Sequence, residues 1–181
     1  MTDIADRLYE KVLVLRAQLE DESAFAELVQ RYHPRLLFYL AKLLGETHRA
    51  EDVLQEVWLD VWRSLPRLAE AGAWRVWLYR IARDRANREL RRRRIPLSRV
   101  EEVEIAGPPD DELSAEELSL VRAAIDKLPA EQREAVMLRY VEGMSYEEIA
   151  AVAGCRVGTI RSRLHYGKQA LKELLQQPNS P

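Results

Sequence analysis

Apolar residues recur at helical spacing from Ile4 to Leu175, and the pattern fails once, between Ile95 and Leu113. Residues three and four apart share one face of a helix, whereas a half-buried strand needs strict alternation. No alternating stretch stands out. The expected fold is therefore all-α: two helical domains, about 1–95 and 114–177, joined by a linker at 96–113, with a short tail at 178–181.

The first stripe is Ile4, Leu8, Val12, Leu15 and Leu19. Phe25, Leu28, Val29 and Tyr32 make the second, with Ser23 as the expected N-cap. Pro34 suits either the first turn of a new helix or a kink. The stripe resumes at Leu36, Leu40, Leu43 and Leu44, and Gly45 is a stop signal. A third helix is expected from about Arg49 to Leu65, before Pro66. After a loop at Arg67 to Gly72, a fourth runs from about Ala73 to Arg93.

IPLSRVEEVEIAGPPDDEL then reads as linker, rich in Pro, Gly and acids. Ser114 with Glu117 is a capping-box signature, and that helix ends at Pro129. The next runs from about Ala130 to Val141 and stops at Gly143. Ser145 with Glu148 is a second capping box, opening a short helix to Ala153 that Gly154 ends. The last helix spans about Val157 to Leu175, and QQPNSP should fray.

Charge is laid out unevenly. Residues 1–95 carry +3, residues 96–120 carry −7 and residues 121–181 carry +2. Two mildly basic blocks thus flank an acidic strip. The 23 Arg against 5 Lys suit phosphate and base-edge contacts. A single cysteine, Cys155, excludes an internal disulfide framework and a Cys-based zinc site. No uncharged stretch is long enough to cross a membrane, and the first residues lack the apolar core of a signal peptide. A soluble, cytoplasmic protein is expected, with no membrane insertion.

MSYEEIAAVAGCRVGTIRSRLHYGKQAL reads as capped helix, Gly turn and longer helix, the helix-turn-helix layout whose second helix enters the major groove. At 100° per residue Val157, Ile160, Leu164, Gly167 and Leu171 share the inner face. Gly158, Ser162, His165, Tyr166 and Gln169 lie opposite, with Thr159, Arg161 and Arg163 on the shoulders. Base edges would meet the apex and phosphates the shoulders. Arg156 falls near the N-cap, where positive charge opposes the helix dipole, and a phosphate contact would justify it. Gly167 on the buried face should permit close helix packing.

Residues 73–94 hold nine Arg against Asp84 and Glu89. Trp74, Trp77, Leu78, Ile81 and Ala82 share one side, and both Trp are read as core. Tyr79, Arg80, Arg83, Asp84, Asn87 and Arg91 share the other, a basic face that suits nucleic acid, including unpaired strands. On the helix at 49–65, Asp52, Gln55, Glu56, Asp60 and Arg63 form the polar face. Leu59 sits among them as a candidate hydrophobic anchor for a protein partner. The three His are far apart, and no phosphate loop, metalloprotease motif or nucleophile elbow occurs. No enzyme, metal or cofactor is expected.

AEDVLQEVWLDVWRSLPRL, AWRVWLYRIARDRANRELRRRR, IDKLPAEQREAVMLRYVEGMSYEEIAAVAGC and VGTIRSRL, taken together and in order, resemble the extracytoplasmic-function sigma factors of bacterial RNA polymerase. The resemblance implies a transcription initiation factor. Asp52, Gln55, Glu56, Leu59 and Asp60 would bind the core polymerase. Arg67, Leu68, Tyr79, Arg80, Arg83, Asp84 and Asn87 would read and help melt the −10 element. Arg156, Thr159, Arg161, Ser162, Arg163, His165 and Tyr166 would read the −35 element. The acidic linker would thread polymerase channels that otherwise hold nucleic acid. An anti-sigma factor is the expected further partner. Asp84 stands where many relatives carry Asn, Leu68 where some carry an aromatic, and Tyr166 and Arg156 where Arg and a small residue or proline are common. The alternative is a two-domain helix-turn-helix regulator that binds duplex DNA without polymerase.

Overall fold

The structure is a computed structural model and describes residues 2–93 and 115–176. All its described elements are helical: α1 (Thr2–Gln18), α2 (Glu22–Leu44), α3 (Thr47–Ser64), two short 3-10 turns at Leu65–Arg67 and Ala71–Ala73, α4 (Trp74–Arg93), α5 (Ala115–Asp126), α6 (Ala130–Val136) with a π-turn at Met137–Val141, α7 (Tyr146–Ala153) and α8 (Val157–Gln176). The capping box expected at Ser114 and the tail at 178–181 lie outside the described residues, as does the linker.

α1 to α4 form the N-terminal bundle. α2 does not begin at a Ser23 cap. Asp21 is the N-cap, because its carboxylate accepts both the Ser23 and the Ala24 amides, at 3.0 and 3.1 Å. Nor does Pro34 divide the helix: α2 runs through it from Glu22 to Leu44. An interior proline costs about 3 kcal/mol of helix stability. Burial of Leu28, Tyr32, Leu36, Tyr39 and Leu40 on either side offsets it. Gly45 ends α2 at φ 76°, and its amide bonds the Ala41 carbonyl.

Val53, Leu54, Val57 and Val61 of α3 pack inward with Trp74, Leu78, Ala82 and Ala86 of α4. Gln18 fastens α1 to the turn after α3 by donating to the Leu65 and Leu68 carbonyls at 3.1 and 2.7 Å. α1 packs through Leu13, Val14 and Ala17, not through the expected stripe. Ile4, Leu8, Val12, Leu15 and Leu19 all face outward. Both faces of this helix are apolar, and periodicity alone does not say which is covered.

The C-terminal domain is built around α8. Ile160, Leu164 and Gly167 are its buried face. A Cβ at Gly167 would stand 2.9 Å from Val136 Cγ2, so the glycine sets the distance between α8 and α6. Ser145 and Glu148 form the expected capping box, and Gly154 ends α7 at φ 64°. The two domains touch. Ile125, Leu128, Val136, Met137, Leu138 and Ile149 join the apolar residues of the N-terminal bundle in one continuous core.

Candidate nucleic-acid interface

Three surfaces carry the residues singled out from the sequence, and the structure treats each differently. On α8 the expected face is open. Gly158, Thr159, Arg161, Ser162, His165, Tyr166 and Gln169 are exposed, opposite the buried Ile160, Leu164 and Gly167. The His165 and Tyr166 rings contact each other at 5.3 Å. Arg156 is exposed and is the helix N-cap, its carbonyl accepting from the Thr159 and Ile160 amides. Arg163 departs from the expectation. Its guanidinium turns back into its own domain, 2.7 Å from Glu131 Oε2 and 3.8 Å from Cys155 Sγ. It sits far enough around the helix for α6 to claim its charge.

The α4 face is covered. Tyr79 was expected to face solvent but is fully buried. Its ring meets Tyr39 of α2 edge-on at 5.2 Å, and burial beside the Glu142 carboxylate pushes its hydroxyl far above the usual tyrosine range. Arg83 donates Nε–H to Glu134 Oε1 at 2.7 Å, and the same oxygen accepts the Tyr39 hydroxyl at 2.8 Å. The correction has one cause: α6, α7 and the π-turn lie against this side of the N-terminal bundle. Arg80 and Asp84 stay exposed at the margin, where they line an open cleft with Gly154, Cys155 and Arg156. Asn87 is half-buried. Trp74 is core as expected, and Trp77 packs beside it, half-buried, at 5.8 Å.

Asp84 also reaches a cleft of about 380 Å³ between α3 and α4, with Arg63, Arg67 and Arg88 among its walls. Arg67 is exposed, whereas Leu68 turns partly into the core. The α3 polar face is open around Leu59, which is 53% exposed, with Asp52, Gln55 and Glu56 exposed beside it. Two features here were not read from the sequence. Arg85 of α4 reaches across to Asp60 at 2.5 Å and Glu56 at 2.7 Å, and holds the Asp60 carboxyl below the usual carboxylate range. Trp62, one turn on from Leu59, is partly exposed and leans on Phe25 at 4.7 Å. Leu59 and Trp62 at i and i+3 therefore form one exposed apolar patch.

The description "Sigma-70 region 2" matches residues 28–95, and "Sigma-70, region 4" matches residues 118–171. The ECF RNA polymerase sigma-E factor of Escherichia coli (strain K12) is 34% identical over 96% of this chain and 97% of its own length. The chain belongs to the ECF sigma factors of RNA polymerase. The RNA polymerase sigma-H factor of Pseudomonas aeruginosa is 36% identical over 91% of this chain and 92% of its own. Among solved structures, the sigma factor RpoE in complex with the anti-sigma factor NepR from Bartonella quintana is similar at a TM-score of 0.70. It is 28% identical, over 86% of this chain and 98% of that one. CnrH in complex with the cytosolic domain of CnrY follows at 0.67 and 26%, over 92% and 96%.

This sigma factor is thus a transcription initiation factor that directs RNA polymerase to promoters, and the plain-regulator alternative is not favoured. Region 2 takes in α2 to α4 apart from the first turns of α2, and region 4 takes in most of α5, α6 with its π-turn, and the helix-turn-helix of α7 and α8 apart from the last turn of α8. Among the described residues no group of His, Cys, Asp or Glu is placed to hold a metal ion. No described helix is long and apolar enough to cross a membrane.

Proposed function

We propose that this sigma factor divides its work among the three surfaces. The α3 face, with Asp52, Gln55, Glu56, Leu59 and Asp60, binds core polymerase. The α4 side, with Arg67, Leu68, Tyr79, Arg80, Arg83, Asp84 and Asn87, engages the −10 element and its unpaired strand. The α8 face, with Arg156, Thr159, Arg161, Ser162, His165 and Tyr166, reads the −35 element, and Arg163 supports that helix through Glu131. Residues 1–95, 96–113 and 114–177 serve as region 2 domain, acidic linker and region 4 domain. The chain itself performs no catalysis, which rests with the polymerase, and works in the cytoplasm. An anti-sigma factor regulates it, in keeping with the partners named for the two solved relatives.

The observation that carries this reading is Leu59, exposed within an acidic ring on a well-formed helix. A duplex-DNA regulator has no use for an acidic apolar patch, which repels phosphate and suits a protein. Linker length agrees. Eighteen residues at about 3.3 Å each span roughly 60 Å, enough to hold two domains on promoter elements more than a helical turn apart. Run-off transcription with core polymerase and this chain is the test. Defined start sites that depend on the chain support the reading, and none across genomic promoter fragments refutes it.

A further inference from the structure

Four ion pairs join the two domains through described side chains, and all have the same polarity. Lys42 Nζ lies 2.6 Å from Asp126 Oδ2, and Arg83 Nε 2.7 Å from Glu134 Oε1. Arg75 Nη2 lies 3.4 Å from Glu148 Oε1, and Arg35 Nη1 a looser 3.9 Å from Glu142 Oε2. Each cation belongs to the N-terminal bundle and each carboxylate to the C-terminal domain. One polar contact runs the other way without pairing charges: Arg133 of α6 donates to the Lys42 carbonyl at 2.9 Å.

The cations are not scattered. Arg35, Tyr39 and Lys42 fall at i, i+4 and i+7 on α2, so they form one stripe. Arg75, Tyr79 and Arg83 fall at i, i+4 and i+8 on α4 and form a second. The two stripes share a pattern, cation–tyrosine–cation. The tyrosines meet at the centre, rings 5.2 Å apart. Both rings are buried; the Tyr39 hydroxyl donates to Glu134 of the other domain at 2.8 Å, whereas the Tyr79 hydroxyl, buried on the side of Glu142, has no hydrogen-bond partner among the described atoms.

We propose that these six residues form one platform for the unpaired strand of a promoter, and that the C-terminal carboxylates occupy it as stand-ins for backbone phosphates. Stacking on aromatic rings, flanked by cations that track phosphates, is how a protein holds single strands with little sequence demand. The proposal rests on the −10 reading above and extends it along α4 to Arg75 and onto α2, to Arg35, Tyr39 and Lys42. The closed chain masks the platform. Opening it rehydrates paired charges on both sides, so a polyanion exchanges one set of anions for another.

The test uses the full chain. Asp126→Asn, Glu134→Gln and Glu148→Gln together keep side-chain shape and remove charge. The probe is a fluorescein-labelled single-stranded DNA of about 12 nucleotides, a length within the site sizes of such platforms. The triple variant should show a larger radius of gyration by small-angle scattering. It should bind the probe at least about tenfold more tightly than the unaltered chain at low salt. Adding Arg35→Ala and Lys42→Ala should remove that gain. An unchanged radius overturns the latch, and an opened chain with no gain overturns the platform. A gain that survives Arg35→Ala and Lys42→Ala places binding elsewhere and also overturns it.

Should the triple variant not fold, hydrogen exchange on the unaltered chain decides. Excess probe should lower amide protection in α6 and α7, and undiminished protection overturns the proposal. Run-off transcription with the unaltered chain separates the two readings. Normal start sites beside a negative probe result reject the platform alone, whereas absent transcription rejects the initiation reading itself.

Discussion

Arg35 Nη1 stands 3.9 Å from Glu142 Oε2, beyond hydrogen-bond reach, and that oxygen has no other hydrogen-bond partner among the described atoms. The carboxylate is only 5% exposed. Burial raises its pKa above the ordinary glutamate value, opposed by Arg35, the Tyr79 hydroxyl and Arg75. A carboxyl with a raised pKa in the folded chain binds its proton more tightly there than in the unfolded one. Its contribution to folding stability is therefore fully present below the usual glutamate pKa and is lost as pH rises through the raised value. Glu142→Gln, neutral at every pH, should make the folded chain more stable at pH 7 to 8 and flatten its dependence on pH. Thermal melts of both chains from about pH 4.5 to pH 8 measure it, a span chosen around the glutamate range. A variant less stable than the unaltered chain at pH 8 would count against this account.

Leu59 and Trp62 lie one turn apart on α3, both partly exposed, with Asp52 and Glu56 at their edge. Leu59→Ala with Asp52→Ala should weaken core polymerase binding by about 2 kcal/mol, roughly thirtyfold, as for removal of a central anchor. Trp62→Ala should add to the loss. Helix content should not change, because Leu59 supports no core. Titration of labelled core polymerase with each variant reads the effect, and equal affinities would remove this face from the interface.

Arg161 and Arg163 are near neighbours with opposite fates. Arg161 is exposed, while Arg163 is held at 2.7 Å by Glu131. For the polymerase-bound chain, Arg161→Ala should weaken −35 engagement by about 1 kcal/mol or more and lower the salt dependence by about one ion. Arg163→Ala should leave the salt slope unchanged and lower the melting temperature instead. Promoter binding at several salt concentrations separates the two.

Gly167→Ala sets two magnitudes against each other. Alanine in a helix gains about 1 kcal/mol over glycine. The new Cβ would lie 2.9 Å from the Val136 Cγ2 methyl, and overpacking a fixed core costs about 1–3 kcal/mol. Val136 is buried and β-branched, so it yields little, and the net expectation is a loss of about 1 kcal/mol. Adding Val136→Ala removes the clash and should return part of the loss. Urea denaturation of Gly167→Ala, Val136→Ala and the double variant gives the cycle.

What the sequence determined by itself is what neighbours along the chain decide. The Ser145–Glu148 capping box, the Gly154 stop and the inner face of α8 depend on residues within one or two helical turns, and they are present as read. The exposure of Leu59 was legible for the same reason, as an apolar residue on an otherwise polar face. Asp21 in place of Ser23 was a local contest between two good caps, decided by which side chain reached two free amides.

Only the tertiary structure decided which faces are covered. α1 offers two apolar faces, and packing against α2 and the turns after α3 selects Leu13, Val14 and Ala17. Tyr79 and Arg83 read as an open basic face because α4 taken alone presents them so. The carboxylates that cover them, Glu142 and Glu134, lie on the far side of the linker. Arg163 reads as a DNA contact until Glu131 on α6 claims it. Periodicity ranks the faces of a helix by polarity. A charged face becomes buried only when another segment brings matching charge to it, and no local pattern encodes that match.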